Sequence, residues 1–172
     1  MKLDADDFEI LGLERRFGLD LPELDSRRRS LQAEIHPDRF AAQGSAAQRL
    51  AMQWSVRVNE AYARLRDPVR RAAYLCELAG VDLAIERNTA MPQAFLIQQM
   101  QWREQLEDAS TADFVEQLAG AVRAERSATL DRVGQALDVR ADAIAAADDV
   151  RAALFMDRFL EDVDRRLESL DA

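Results

Sequence analysis

The sequence predicts an all-α protein built as two helical parts. Glycine and proline are scarce, six and four among 172 residues, while alanine, leucine, arginine, glutamate and glutamine, all good helix formers, abound. Apolar residues recur at steps of three and four over long stretches, and no run alternates with the period of two that a half-buried strand requires. One stretch without a clear period, Gly80 to Pro92, contains Asn88 and Thr89 and separates the helical segments on either side. The expected organisation is a first domain over residues 1–80, a linker over 81–92 and a helical bundle over 93–172.

The first helix is short, Asp6 to Leu11, with Gly12 as its C-cap. Asp20-Leu21-Pro22-Glu23 starts the second. The aspartate caps, proline is tolerated in the first turn, and a glutamate three residues on suits a capping box. Leu24, Leu31 and Ile35 form the buried stripe of this helix. Arg28 falls at the edge of the stripe, its methylenes on apolar neighbours and its guanidinium in water. Arg29 lies well round the cylinder and is exposed. Pro37 stops the helix, because it lacks an N–H and restrains the residue before it.

The third helix runs from Ser45 to Leu65, with Leu50, Trp54, Val58, Ala61 and Leu65 on one buried face. Asp67-Pro68 ends it, and a short helix from Val69 to Leu78, terminated by Gly80, closes the domain. The second and third helices form an antiparallel hairpin. Its tip is the corner His36-Pro37-Asp38, which displays an imidazole and a carboxylate to solvent. Beyond the linker, helices cover Pro92 to Asp108, Thr111 to Ala136 and Val139 to Leu170, with Ser110 and Asp113 capping the second. Ala153, Met156, Leu160, Val163, Leu167 and Leu170 repeat at three and four, the seam of an antiparallel bundle.

Composition excludes several functions. A net charge of −9 argues against nucleic acid as the main partner. No stretch approaches the ~20 apolar residues of a membrane helix, and no apolar N-terminal run suggests a secretory signal, so a cytoplasmic location is expected. Cys76 is alone; it can form no internal disulfide, brings no zinc ligand set, and reads as a small buried residue. No cofactor and no metal site are expected. His36 and Asp38 make a poor acid–base pair, two residues apart on an exposed corner, with no nucleophile motif or phosphate loop beside them. An enzyme is not expected.

Two surface features remain. Arg27, Arg28, Arg29 and Arg39 form a basic island in an acidic chain. It is either a solvated helix face or a site for an acidic partner surface. On the helix from Pro92, Phe95, Trp102 and Leu106 share one narrow arc at about 100° per residue, and that arc faces the core. Leu96, Ile97 and Met100 point roughly 100–200° away from it, on the side of Glu104 and Asp108. Phe155 lies about 100° off the Met156 seam. These residues either pack against the first domain or a wide core, or form an apolar patch rimmed by acids for a partner.

The ordered series Phe8-Glu9-Ile10-Leu11-Gly12-Leu13, Leu24, Leu31, Ile35, His36-Pro37-Asp38, Arg39-Phe40, Val58-Asn59-Glu60-Ala61-Tyr62, Asp67-Pro68 and Arg71-Ala72-Ala73-Tyr74-Leu75 resembles a J domain, from about Asp7 to Leu78. J domains are the modules by which co-chaperones stimulate the ATPase of DnaK-type chaperones. The segment from Ala94 to Leu106 is similar to the C-terminal domain of the HscB family, co-chaperones of bacterial iron–sulfur cluster assembly that present the scaffold IscU to the chaperone HscA. The resemblance covers nearly the whole chain.

It implies an HscA contact through Arg28, Arg29, His36, Pro37, Asp38 and Arg39, and an IscU contact through Leu96, Ile97, Met100, Gln101, Glu104, Asp108 and Phe155. This chain departs from the family's pattern at three of these positions. Arg39 replaces a frequent lysine and keeps the charge, Arg28 stands where an aromatic residue is usual, and Gln101 stands where the family can have a glutamate. The alternative is a general J-domain adaptor that delivers another client.

Overall fold

The structure is a computed structural model that describes residues 4–84 and 91–170, apart from the side chain of Ala41. The described residues form helices and connections, with no strand. The chain divides into two compact units, Met1–Leu75 and Cys76–Ala172.

The first unit is organised by its caps and a buried ion cluster. Asp6 accepts from the Glu9 N–H and Glu9 reaches back to the Asp6 N–H, a complete capping box at the head of α1, Asp7–Leu11. Gly12 ends α1 at φ +65°, a left-handed conformation that a Cβ would strain. Helix α2, Leu21–Glu34, is capped by Asp20, whose carboxylate accepts from the Glu23 N–H. Helix α3, Ser45–Arg66, returns antiparallel to α2. The register is visible in polar staples: Asp25 with Tyr62 at 2.7 Å, Arg28 with Asn59 at 3.2 Å and Gln32 with Ser55 at 2.9 Å. One index rises as the other falls. Beneath the staples Leu24, Ile35, Val58, Ala61 and Leu65 bury against Phe8, Ile10, Leu11 and Tyr74, with Leu31 and Trp54 partly covered.

Leu50 departs from the sequence expectation: it is 48% exposed, and Ala51 is buried instead. The apolar period of α3 continues past the end of its partner. The last α2–α3 staple is Gln32 with Ser55, so Leu50 lies beyond the stretch that α2 covers.

Asp67 ends α3 and caps α4, Pro68–Leu78, by accepting from the N–H groups of Val69 and Arg70, each at 2.9 Å. Gly80, at φ +76°, stops α4 as expected. The division between the two units falls within this helix.

Asp7 is fully buried and flanked by Arg57 at 2.7 Å and Arg64 at 3.0 Å, and its backbone N–H donates to the Tyr74 hydroxyl. Removing one member of a buried pair leaves the other uncompensated. Both arginines here are partly exposed and can turn to water. Asp7→Ala is therefore expected to cost about 2 kcal/mol, below the ~3–5 kcal/mol of a fully buried pair. Urea unfolding measures it, and an unchanged midpoint would show that the cluster contributes nothing.

The second unit is a three-helix bundle of α5, Gln93–Asp108, α6, Ala112–Gly134, and α7, Ala143–Leu170. Its core contains Trp102, Val115, Leu118, Val122, Met156, Phe159 and Val163. The N-cap of α6 is Thr111, which accepts from the Phe114 N–H, rather than the expected Ser110. Both residue types cap, and the hydroxyl that the backbone geometry admits is the one used.

The expected α7 start at Val139 is also corrected. Gln135–Val139 extends α6 as a π turn, Ala141 takes φ +52°, and Asp142 caps α7 by accepting from the Ala145 N–H. Arg126 with Asp157, and Arg132 with Asp149 at 3.1 Å, clamp α6 to α7 in antiparallel register. Of the expected linker over 81–92, residues 85–90 lie outside the described residues. Leu83 is buried, and its carbonyl accepts from Arg151 at 2.7 Å. Cys76 is buried and free, and burial pushes its thiol pKa up.

Candidate functional site

The tip of the hairpin is more ordered than a plain corner. Pro37–Gln43 is a 3-10 helix with His36 as its N-cap, and Gly44 then leaves it at φ +93°. His36 Nδ1 accepts from the Asp38 N–H at 3.3 Å. The Asp38 carboxylate lies 3.5 Å from Nδ1 with its side chain 90% exposed. Its backbone N–H is held by the imidazole while its oxygens face solvent. Pro37 is half-buried and Arg39 exposed, the latter donating to the Ala33 carbonyl at 3.0 Å. That bond returns Arg39 to the end of α2 beside the tip.

The four arginines of the basic island differ in their engagements. Arg27 pairs with Glu23 at 3.1 Å. Arg28, half-buried at the stripe's edge as expected, keeps its guanidinium in an exposed position and there finds partners on the neighbouring helix. It donates to Asn59 and lies 4.6 Å from the centre of the Tyr62 ring, a cation–π contact across the hairpin. These partners, Asn59 and Tyr62, sit on the other helix and were invisible to a single-helix pattern. Arg29 is exposed, with no hydrogen bond or ion pair among the described residues.

Helix α5 separates its faces as the pattern predicts. Trp102 is buried, and Phe95 and Leu106 are partly buried against the core. Ile97 and Met100 are 50% and 71% exposed, and Leu96 is half-buried. Gln101, Glu104 and Asp108 are exposed.

Phe155 is half-buried. It stacks on Phe159 at 6.1 Å, meets Phe95 edge-on at 5.8 Å, and has the Arg103 guanidinium 5.4 Å from its ring centre. Arg103 is three residues from Met100 and seven from Leu96, so it shares their side of α5. Phe155 is therefore at once a core neighbour and the border of the apolar strip. Phe159 and Arg103, which place it there, were not singled out in the sequence. Among the described residues no cluster of His, Cys, Asp and Glu suits a metal ion, and no helix is long and apolar enough to cross a membrane.

The family model described as the HSCB C-terminal oligomerisation domain matches residues 91–164. A co-chaperone protein HscB homolog of Burkholderia multivorans is 48% identical over 167 residues, 95% of each chain. The chain belongs to the HscB family. Two solved HscB structures agree in fold over the same extent. The chaperone HscB from Vibrio cholerae matches with a TM-score of 0.82 at 32% identity, over 96% of this chain and 99% of that one. The human co-chaperone protein HscB matches with a TM-score of 0.91 at 25% identity, over 96% and 84%. Membership makes the chain a J-domain co-chaperone of iron–sulfur cluster assembly, not an enzyme, with a DnaK-type chaperone as its partner.

Proposed function

We propose that the bundle of residues 93–172 holds the scaffold IscU by the outer face of α5, and that the J domain of residues 1–80 docks on HscA and stimulates its ATP hydrolysis in the cytoplasm. Catalysis belongs to HscA. The exposed Asp38 carboxylate, fixed by the His36 ring at its backbone, carries this reading. A carboxylate on a rigid tip offers a differential contact to one conformation of a partner, and a ligand shifts an equilibrium only through such a difference.

Arg29 and Arg39, with Arg28 behind them, supply attraction to an acidic chaperone surface. Leu96, Ile97 and Met100 supply the apolar centre of the client contact, bordered by Phe155 and rimmed by Gln101, Glu104 and Asp108. A steady-state ATPase assay tests the whole: the protein alone hydrolyses nothing, and HscA turns over faster in its presence. Turnover without HscA, or an unchanged HscA rate, would sink the proposal. An adaptor for another client would still stimulate a DnaK-type chaperone but would not bind IscU.

Association with HscA should weaken as salt rises, since screening acts over ~10 Å at 0.1 M. Arg29→Ala should flatten that dependence more than Arg27→Ala, because the Arg27 charge is already paired with the Glu23 carboxylate at 3.1 Å. Affinities measured at several salt concentrations decide it. Equal slopes for wild type and Arg29→Ala would reduce the island to a solvated face.

A further inference from the structure

We propose that the client surface continues round the corner from α5 onto the first turn of α6, where Phe114 is a second apolar anchor, and that the depression between them takes a basic side chain of the client. This rests on the reading of α5 as the client face. The depression measures about 610 Å³ and is lined by Gln101, Glu104, Asp108, Thr111 and Phe114, among others. Helix α6 turns Val115, Leu118, Ala119 and Val122 into the core, while Phe114, one residue off that stripe, is 43% exposed. Core packing does not require an aromatic ring there. It stands on the rim of the same depression that the α5 acids line.

The charge of the depression specifies its occupant. Glu104 and Asp108 are four residues apart on one face, an arrangement in which like charges repel. They stand with Glu107 near the C-terminal end of α5, where the helix dipole is already negative, and the last turn holds no basic residue. Neither Glu104 nor Asp108 has an ion pair among the described residues. The nearby Arg166 is committed to the Ala109 carbonyl. A lysine or arginine of the partner relieves this repulsion.

The surface is also continuous. Ile97 stands four residues before Gln101 and seven before Glu104, on the same side of α5. From Ile97 to Asp108 the helix rises roughly 16 Å. The complementary client segment therefore presents apolar, basic and apolar groups in that order.

Calorimetric titration of IscU into the full-length protein tests this, with Ile97→Ala/Met100→Ala as the reference variant. Phe114→Ala should weaken binding roughly tenfold with an unchanged melting transition and unchanged stimulation of HscA without client. If the reference variant weakens binding while a folded Phe114→Ala binds as wild type does, the extension is overturned and the α5 reading stands. If the reference variant binds IscU normally, the α5 reading falls and the extension with it. Asp108→Lys, which alters an exposed side chain, is the second probe. It should weaken binding at low salt and lose that effect at high salt; unchanged low-salt affinity would overturn the basic occupant.

Discussion

Asp38→Asn is expected to abolish stimulation of HscA while leaving the melting transition of the protein unchanged. The carboxylate is almost wholly exposed and the backbone bond to His36 does not involve it, so its removal costs the fold little; surface changes of this kind usually stay within ~0.5 kcal/mol. Asparagine keeps the shape and one acceptor oxygen but loses the charge, and a charge-assisted bond is roughly twice as strong as a neutral one. Stopped-flow or steady-state ATPase measurements with IscU held constant read the effect. A folded Asp38→Asn protein that stimulates as well as wild type would remove Asp38 from the mechanism.

Ile97→Ala with Met100→Ala should remove most IscU affinity without melting the bundle. Both side chains are half or more exposed, so truncation opens no cavity. A core position would cost ~2–5 kcal/mol per large-to-small change. Phe155→Ala should behave differently. Its ring contacts Phe95 and Phe159, and its loss should lower both stability and IscU affinity. Parallel thermal melts and titrations separate the two classes. A collapsed melt for the Ile97/Met100 variant would identify that face as core, and unchanged IscU affinity would show that the client binds elsewhere.

Local rules made much of this fold legible. The caps at Gly12, Asp20 and Gly80 use hydrogen bonds within a few residues of sequence, so residue type alone located them, whereas Asp6, read as the first helical residue, is the N-cap. The core arc of Phe95, Trp102 and Leu106 followed from helical period. The reading lost accuracy where a partner helix decides the outcome. Leu50 continues the period of α3 but outruns α2. Arg28 turns onto Tyr62 because the hairpin register places that ring opposite. Phe155 lies off the Met156 seam, yet α7 in a three-helix bundle has a second inward direction, and there Phe155 and Phe159 meet Phe95 and Trp102. The choice of Thr111 over Ser110 is a one-residue matter of backbone angle. The candidate surfaces at His36–Asp38 and Leu96–Met100 stand out in the sequence, the first as an acid–imidazole pair at a proline turn and the second as a surplus of apolar side chains on an already satisfied helix.

The coupling of both surfaces within one chain is tested most directly by recombination. HscA turnover is measured at subsaturating IscU with wild type, with Asp38→Asn, with Ile97→Ala/Met100→Ala, and with an equimolar mixture of the two variants. Wild type should raise the rate, each variant should fall short, and the mixture should stay as low as its better member, because one chain must hold the client while its own tip engages the chaperone. A mixture that restores the wild-type rate would contradict delivery by a single bridging molecule.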